Sequence, residues 1–433
     1  MWSTGWKAVA LLATVQTLAF FHRTLATLFA EPIRLEFGVS DTLIGLFIGA
    51  AFSVSYVVAA LPLGHVADHG DRFRLLGVLV ACWSVLTSLA AAASSFAALL
   101  LLRIGTAGAI SGITPSAGSL LAERYPGPRL ARPMGIYASG IYFGVGSSML
   151  IGGALAAWFD PFASFALGPL PPLSGWKIIY LLAGLPGLLL AAVLLRQTDT
   201  GRSDSRTAPR KPMQPVFAFL FARPANYLRV MLAMTMLVFV ATAVGAWLPA
   251  MLLRKHGWTI DDIGLWSGAI TIAAGLLGTL GSGFLVEQIA RFTGAAKPQV
   301  VLLMAAAVAS APLAIALPLV SSPFVCLALF FFRSLLGGIV VSVGYAILLN
   351  LAPTPQRARL AAVAGITLNL IGGALAPIAV ALATDFLFAD PGKLPLSLAI
   401  VNACGSAAAL AILLTGARAL LSPDSRPANQ PLA

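Results

Sequence analysis

The chain has 433 residues, 59% of them hydrophobic and 10% charged, with a mean hydropathy of +0.92 and a formal net charge of +12. A soluble domain carries about a quarter of its residues as charges, so this composition excludes one. The apolar runs are long and continuous, which points to membrane-spanning helices and away from the short alternating strands of a membrane barrel.

Runs of about 20 apolar residues are long enough to cross a bilayer, and they place spans at roughly 8–33, 42–66, 75–95, 98–122, 133–158, 178–195, 227–251, 262–286, 299–318, 324–350, 360–386 and 395–417. The first is too long for the apolar core of a signal peptide and is expected to be retained. Most Lys and Arg, including Arg72, Arg74, Arg129 and Arg132, fall on the side that holds both termini, whereas Arg34, Lys177, Arg254, Lys255 and Lys393 fall on the other. The positive-inside rule makes the terminal side cytoplasmic. The excess basic charge is therefore topological, and no nucleic-acid partner is expected.

The first span carries His22 and Arg23 near its middle, then Glu31 and Pro32 toward its outer end. Charge in mid-membrane is costly, so such residues are candidates for function; the bland alternative for Arg23 is a structural bond to a carbonyl or an aromatic face. Glu31 lies one turn from Arg34 and reads as half of an interfacial ion pair. The second span ends in the charged hairpin Gly64-His65-Val66-Ala67-Asp68-His69-Gly70-Asp71-Arg72-Phe73-Arg74. Asp68 suits a helix N-terminus from the other half, and Arg72 suits Glu123 at the end of the fourth span. That span runs from Arg103 through Gly105, Gly108 and Gly112, whose spacing makes a small-residue face for close helix packing. The fifth span repeats the pattern with Gly140, Gly144 and Gly153, interleaved with Tyr137 and Tyr142. Cys82, Cys326 and Cys404 show neither a disulfide framework nor metal spacing and read as small core residues.

The first half returns in the second. Gly64, Asp68, Arg72 and Phe73 reappear at one constant offset as Gly283, Glu287, Arg291 and Phe292, and Gly38 and Gly45 reappear as Gly257 and Gly264. Arg103 finds Arg333 in the tenth span, and Asn369 adds a polar group to the eleventh. The polar, Pro-rich stretch 197–225 reads as a cytoplasmic linker between an N-terminal six-helix bundle, 1–196, and a C-terminal one, 226–418. Residues 419–433 read as a disordered cytoplasmic tail.

The Gly-x-x-x-Asp hairpin followed by an arginine, set after the second span, resembles the signature of the major facilitator superfamily. Arg103 to Gly153, with Glu31-Pro32-Ile33, Ser40-Asp41, Leu61-Pro62-Leu63-Gly64 and Gly184-Leu185-Pro186-Gly187, resembles its bacterial spinster-like group. The resemblance implies an all-α membrane protein of twelve helices in two pseudo-symmetric six-helix bundles, working by alternating access. It also implies an acid beside the span-one arginine and a glutamate in span four. These positions read His22 and Ile110, so His22 and Glu31 become the candidates for proton coupling.

The expected function is movement of an organic anion, or of an anionic lysolipid-like amphiphile, across the inner membrane. His22, Arg23, Arg103, Tyr137, Tyr142, Arg333 and Asn369 would bind the cargo. Gly64, Asp68, Arg72, Glu123, Glu287 and Arg291 would form a conformational latch. Guanidinium forks suit carboxylate or phosphate head groups. The alternatives are a receptor or scaffold that keeps the fold without transporting, or an exporter of hydrophobic drugs. No nucleophile–base pair, metal-ligand spacing or phosphate-binding loop occurs, so the reading is a secondary active (symport or antiport) or facilitative transporter, expected to be monomeric, that is not an enzyme and needs no cofactor or metal.

Overall fold

The computed structural model describes residues 4–197 and 226–421, apart from 126, 167, 169, 170, 294, 296 and 353–355. The expected linker and tail lie almost wholly outside them. Twelve helices among the described residues are long and apolar enough to cross a membrane. They are Gly5–Leu28, Asp41–His69, Arg72–Ala92, Phe96–Arg124, Arg132–Trp158, Gly175–Leu195, Tyr227–His256, Ile260–Thr293, Pro298–Ala316, Pro323–Leu351, Arg359–Phe388 and Pro391–Ala417. They are called here the first to twelfth spans. Helices satisfy every backbone donor and acceptor internally, which lipid requires.

Local chemistry sets where these helices begin and end. Ser40, Asp71, Ser95 and Ser322 cap helix N-termini, each side-chain oxygen accepting from the backbone N–H three residues on. Asp71 explains the departure from the hairpin signature: its Oδ1 accepts from Arg74 N at 2.9 Å and starts the third span. Two breaks fall four residues before a proline, where the ring removes the N–H that would close the turn. The first span stops at Leu28 and resumes as Ala30–Phe37 beneath Pro32, and the fourth divides into Phe96–Ser111 and Ile113–Arg124 beneath Pro115. Glu31 therefore sits on a separate short helix rather than on the end of the first span.

Two glycines mark the internal repeat in the backbone itself. Gly38 ends the short helix at φ +61° and Gly257 ends the seventh span at φ +66°. Their N–H groups donate to Arg34 O and Leu253 O, four residues back in each case. Left-handed backbone of this kind favours glycine.

The described chain forms two compact units. One draws on Met1–Ala208 and Leu252–Ile272, the other on Pro209–Met251 and Ala273–Ala433. The first has a core built on Phe52, Phe73, Leu76, Val80, Trp83, Ile113 and Leu120, and the second on Met231, Met234, Leu303, Val340, Val343 and Leu360. In the first unit a Cβ at Gly144 would lie 2.3 Å from Thr17 O and 2.7 Å from Phe20 Cβ, so bare backbone lets the fifth span lie against the first. In the second unit Trp247 Nε1 donates to Pro377 O and Asn402 Nδ2 to Ala314 O. Of the cysteines, Cys326 is buried, while Cys82 and Cys404 are exposed on helix faces rather than packed in the core.

The outer loop after the fifth span folds into a small antiparallel hairpin, β1 (Ser164–Phe165) with β2 (Leu173–Ser174). Glu36 anchors it. Its carboxylate accepts from Ser174 Oγ at 2.6 Å and from Trp176 Nε1, and pairs with Lys177 Nζ at 2.6 Å.

Candidate substrate-binding site

Five aromatic and cationic side chains come together in the first unit. A π-helical turn, Leu46–Ala50, within the second span carries Phe47, and Phe52 follows it; both rings are buried. The Arg103 guanidinium carbon lies 4.7 Å from the centre of the Phe52 ring and 5.4 Å from that of Phe47. The Arg23 guanidinium carbon lies 4.8 Å from Phe52 and 5.6 Å from Phe20. Two permanent cations thus share one ring. The ring quadrupole offsets part of the cost, with a cation–π contact worth about 0.5–2 kcal/mol.

The two arginines are used differently. Arg103 Nη1 donates to His22 O at 3.2 Å and Nη2 to Arg23 O at 2.7 Å, so its fork is spent on the backbone of the first span. Arg23 is half-buried, and its guanidinium has no hydrogen-bond or ion-pair partner among the described residues. Its nitrogens are not sealed off either. Arg23, rather than Arg103, offers a free planar fork.

His22 is 2% exposed and its Nε2–H donates to Ala183 O on the sixth span at 2.9 Å. Tyr137 is buried and its hydroxyl donates to Gln16 Oε1 at 2.8 Å, which uses it in packing the fifth span on the first. Tyr142 is half-buried on the fifth span.

In the second unit, Arg333 is buried beside a cavity of about 30 Å³ lined by Val238, Ser310 and Gly337. It too has no hydrogen-bond or ion-pair partner among the described residues. Asn369 lies on a π-helical stretch, Leu368–Leu375, and its Nδ2 donates to Gly365 O of its own helix at 3.0 Å. Among the described residues no group of three or more His, Cys, Asp or Glu could hold a metal ion.

The sequence model of the Major Facilitator Superfamily matches residues 12–377. The chain belongs to that superfamily. An MFS-type efflux pump of Mycolicibacterium smegmatis is 28% identical over 287 residues, 66% of this chain and 63% of that one. A probable L-galactonate transporter of Escherichia coli is 24% identical over 66% of this chain and 62% of its own. The aligned stretch thus spans a little under two thirds of these relatives. A bacterial homolog of the human lysosomal transporter Spinster, solved inward-facing and occupied, matches with a TM-score of 0.79 at 23% identity, covering 99% of this chain and all of that one. The major facilitator fold is therefore established along the chain, and the protein is a multi-pass membrane protein.

The superfamily hairpin takes a definite form. Arg72 is 7% exposed and pairs with Glu123, joining the start of the third span to the end of the fourth. Gly64 faces Pro115, whose Cβ would lie 3.9 Å from an added Cβ. Asp68 is exposed in the last turn of the second span. The second copy differs. The eighth span runs unbroken to Thr293, so Glu287 and Arg291 stand one turn apart on an exposed helix rather than in a hairpin. Among the described residues they form no ion pair.

The sequence reading did not single out a buried charge cluster at the outer end of the first unit. Arg254 donates to both Glu31, through Nε at 2.8 Å, and Asp41, through Nη1 and Nη2 at 2.7 Å each. Arg34 adds Glu31 at 2.6 Å and Asp41 at 3.7 Å. Burial raises the Glu31 pKa, but hydrogen bonds and charge from Arg34 and Arg254 outweigh it and hold the carboxyl below its ordinary value. Glu36 behaves likewise, with burial outweighed by Lys177, Ser174 and Trp176.

Proposed function

We propose that this protein is a gradient-driven transporter working by alternating access, and that it moves a small organic anion across the inner membrane with both termini in the cytoplasm. The reading rests on one observation above the rest: Arg23 is a half-buried guanidinium held against Phe20 and Phe52, with Arg103 behind it and no carboxylate paired to either. A buried cation without a counter-ion favours an anionic ligand, and a planar fork suits a carboxylate or phosphate bidentately. The aromatic walls suit an aromatic acid or the apolar part of an amphiphile. Arg333 supplies a second uncompensated guanidinium in the other unit. Relatives named for galactonate, 4-hydroxybenzoate and gallate transport fit this cargo class. Their names also favour a transporter over an enzyme or a silent receptor.

His22 is the proposed proton carrier rather than Glu31, whose carboxylate is committed to two arginines. The chain is taken to act as a monomer. Export of hydrophobic compounds is the second reading, favoured by the similarity to an efflux pump. Purified protein in liposomes, offered labelled sugar acids, aromatic acids, lysophospholipids and a neutral hydrophobic dye, tests both. Uptake of an acid that is lost in Arg23→Ala supports the first reading. Movement of the dye, unaffected by Arg23→Ala, would replace it with the second.

A further inference from the structure

Inside the first unit lies a cavity of about 20 Å³ walled by His22, Arg103, Tyr180, Phe47, Leu99 and Leu102. Three buried polar atoms on its lining residues have no partner: His22 Nδ1, Arg103 Nε and Tyr180 Oη. They come from the first, fourth and sixth spans. Two threonine hydroxyls at the same wall are already committed, Thr87 to Trp83 O and Thr106 to Leu102 O, both at 2.8 Å. A buried polar group without a partner costs about 1–3 kcal/mol. Three around one small space mark a place where something binds.

Donor and acceptor accounting identifies it. The Ala183 carbonyl can only accept, so His22 carries its hydrogen on Nε2. No carboxylate pairs with the groups facing this imidazole. Arg103 on the fourth span and Arg23 on its own helix are cations, and Tyr180 on the sixth is neutral, so the ring is neutral and its Nδ1 is a bare acceptor. The occupant must therefore donate to Nδ1. It must also accept, because Arg103 Nε–H can only donate. A halide fails the first requirement and a metal cation the second. The volume excludes anything of several heavy atoms, since one water needs about 10–15 Å³ of such space.

We infer that this cavity is a binding site for a single water molecule, which accepts from Arg103 Nε, donates to His22 Nδ1 and shares a hydrogen bond with Tyr180 Oη. The water fixes the face on which His22 can gain a proton. Nε2 is committed to the backbone, so uptake occurs at Nδ1 and comes from this water. If His22 carries the coupling proton, as proposed above, the step conserves everything but the added charge. A proton arriving at the water forms one O–H bond there as another breaks toward Nδ1, and the water is regenerated. No carboxylate takes part.

The test uses full-length protein labelled with ¹⁵N-histidine, in which His22 is one of four histidines and is assigned by comparison with His22→Gln. Solid-state spectra are expected to show Nε2 protonated and magnetisation passing from bound water to Nδ1. Tyr180→Phe keeps the edge contacts with Trp176 and Phe29 and removes one water partner, so the water-to-Nδ1 transfer should be lost or strongly reduced while Nε2 is unchanged. A Nδ1 resonance with no water contact in the wild type would overturn the site, as would one that moves with bromide concentration. So would transfer left intact in Tyr180→Phe. The readout needs no transport, so failure here leaves the anion reading standing, and failure of that reading leaves this site standing.

Discussion

At the residue scale, Arg23 and Arg103 are alike in charge and depth and differ in what holds them. Arg103 makes two charge-assisted bonds to carbonyls of the first span, and such bonds contribute about 1.5–3 kcal/mol each. Arg23 makes none among the described residues. Arg23→Ala should therefore leave the melting temperature nearly unchanged and abolish anion uptake. Arg103→Ala should lower the melting temperature by several degrees as well as impairing transport. Arg103→Lys should behave like the alanine variant for stability, because an ammonium cannot span both carbonyls and lie flat on Phe52. Thermal melts of the purified variants beside liposome uptake check all three. The reverse pattern, a destabilised Arg23→Ala and an unaffected Arg103→Ala, would exchange the roles. That both arginines lie within spans was legible from hydropathy alone. Their different use was not, since it depends on which carbonyls and rings face them.

At the scale of elements, the hairpin and the glycine faces position those side chains. Gly144 lets the fifth span touch the stretch of the first span that carries His22 and Arg23, and Gly144→Val would drive side-chain carbon into Thr17 O and Phe20. Overpacking of this kind typically costs about 1–3 kcal/mol. The variant should express at reduced yield and lose uptake even though it touches no cargo. Gly118→Val, where an added Cβ meets nothing within 4 Å, is the control, and equal loss in both would refute the packing argument. Arg72 and Glu123 at the other end were readable as a pair because they sit at helix ends on one side of the membrane. The second copy takes another form for an equally local reason. The echo kept glycine, acid and arginine but lost Gly70 and the capping Asp71, leaving nothing in Gly283–Arg291 to stop a helix that runs on to Thr293. The π-helical turns at Leu46–Ala50 and Leu368–Leu375 had no sequence signature at all, and they place Phe47 and Asn369.

At the scale of the molecule, the division into units does not follow the midpoint of the chain. The sequence repeat shows two halves, and Gly38 and Gly257 confirm the echo in backbone form. Yet Leu252–Ile272 belongs to the first unit, and Arg254 gives the physical reason. Its guanidinium is spent on Glu31 and Asp41, whose side chains are 6% and 1% exposed. No hydropathy scan joins residues so far apart in sequence. Removing one member of a buried ion cluster leaves an uncompensated charge and costs about 3–5 kcal/mol, so Arg254→Ala should be among the most destabilising substitutions in the protein. The cluster also sets an acid limit. The folded Glu31 carboxyl titrates below its ordinary 4.5 because Arg34 and Arg254 favour its charged form. A lowered folded pKa contributes stability that is complete above the unfolded value and is lost as pH falls through the folded one. Wild-type thermal stability should therefore fall as pH drops below about 4.5, and Glu31→Gln, less stable at neutral pH, should show a shallower fall across that window. Parallel melting curves from pH 7 to pH 3 decide it. If Glu31→Gln keeps the full acid dependence of the wild type, the Glu31 carboxyl does not set the acid limit, and its pairing with Arg34 and Arg254 does not account for it.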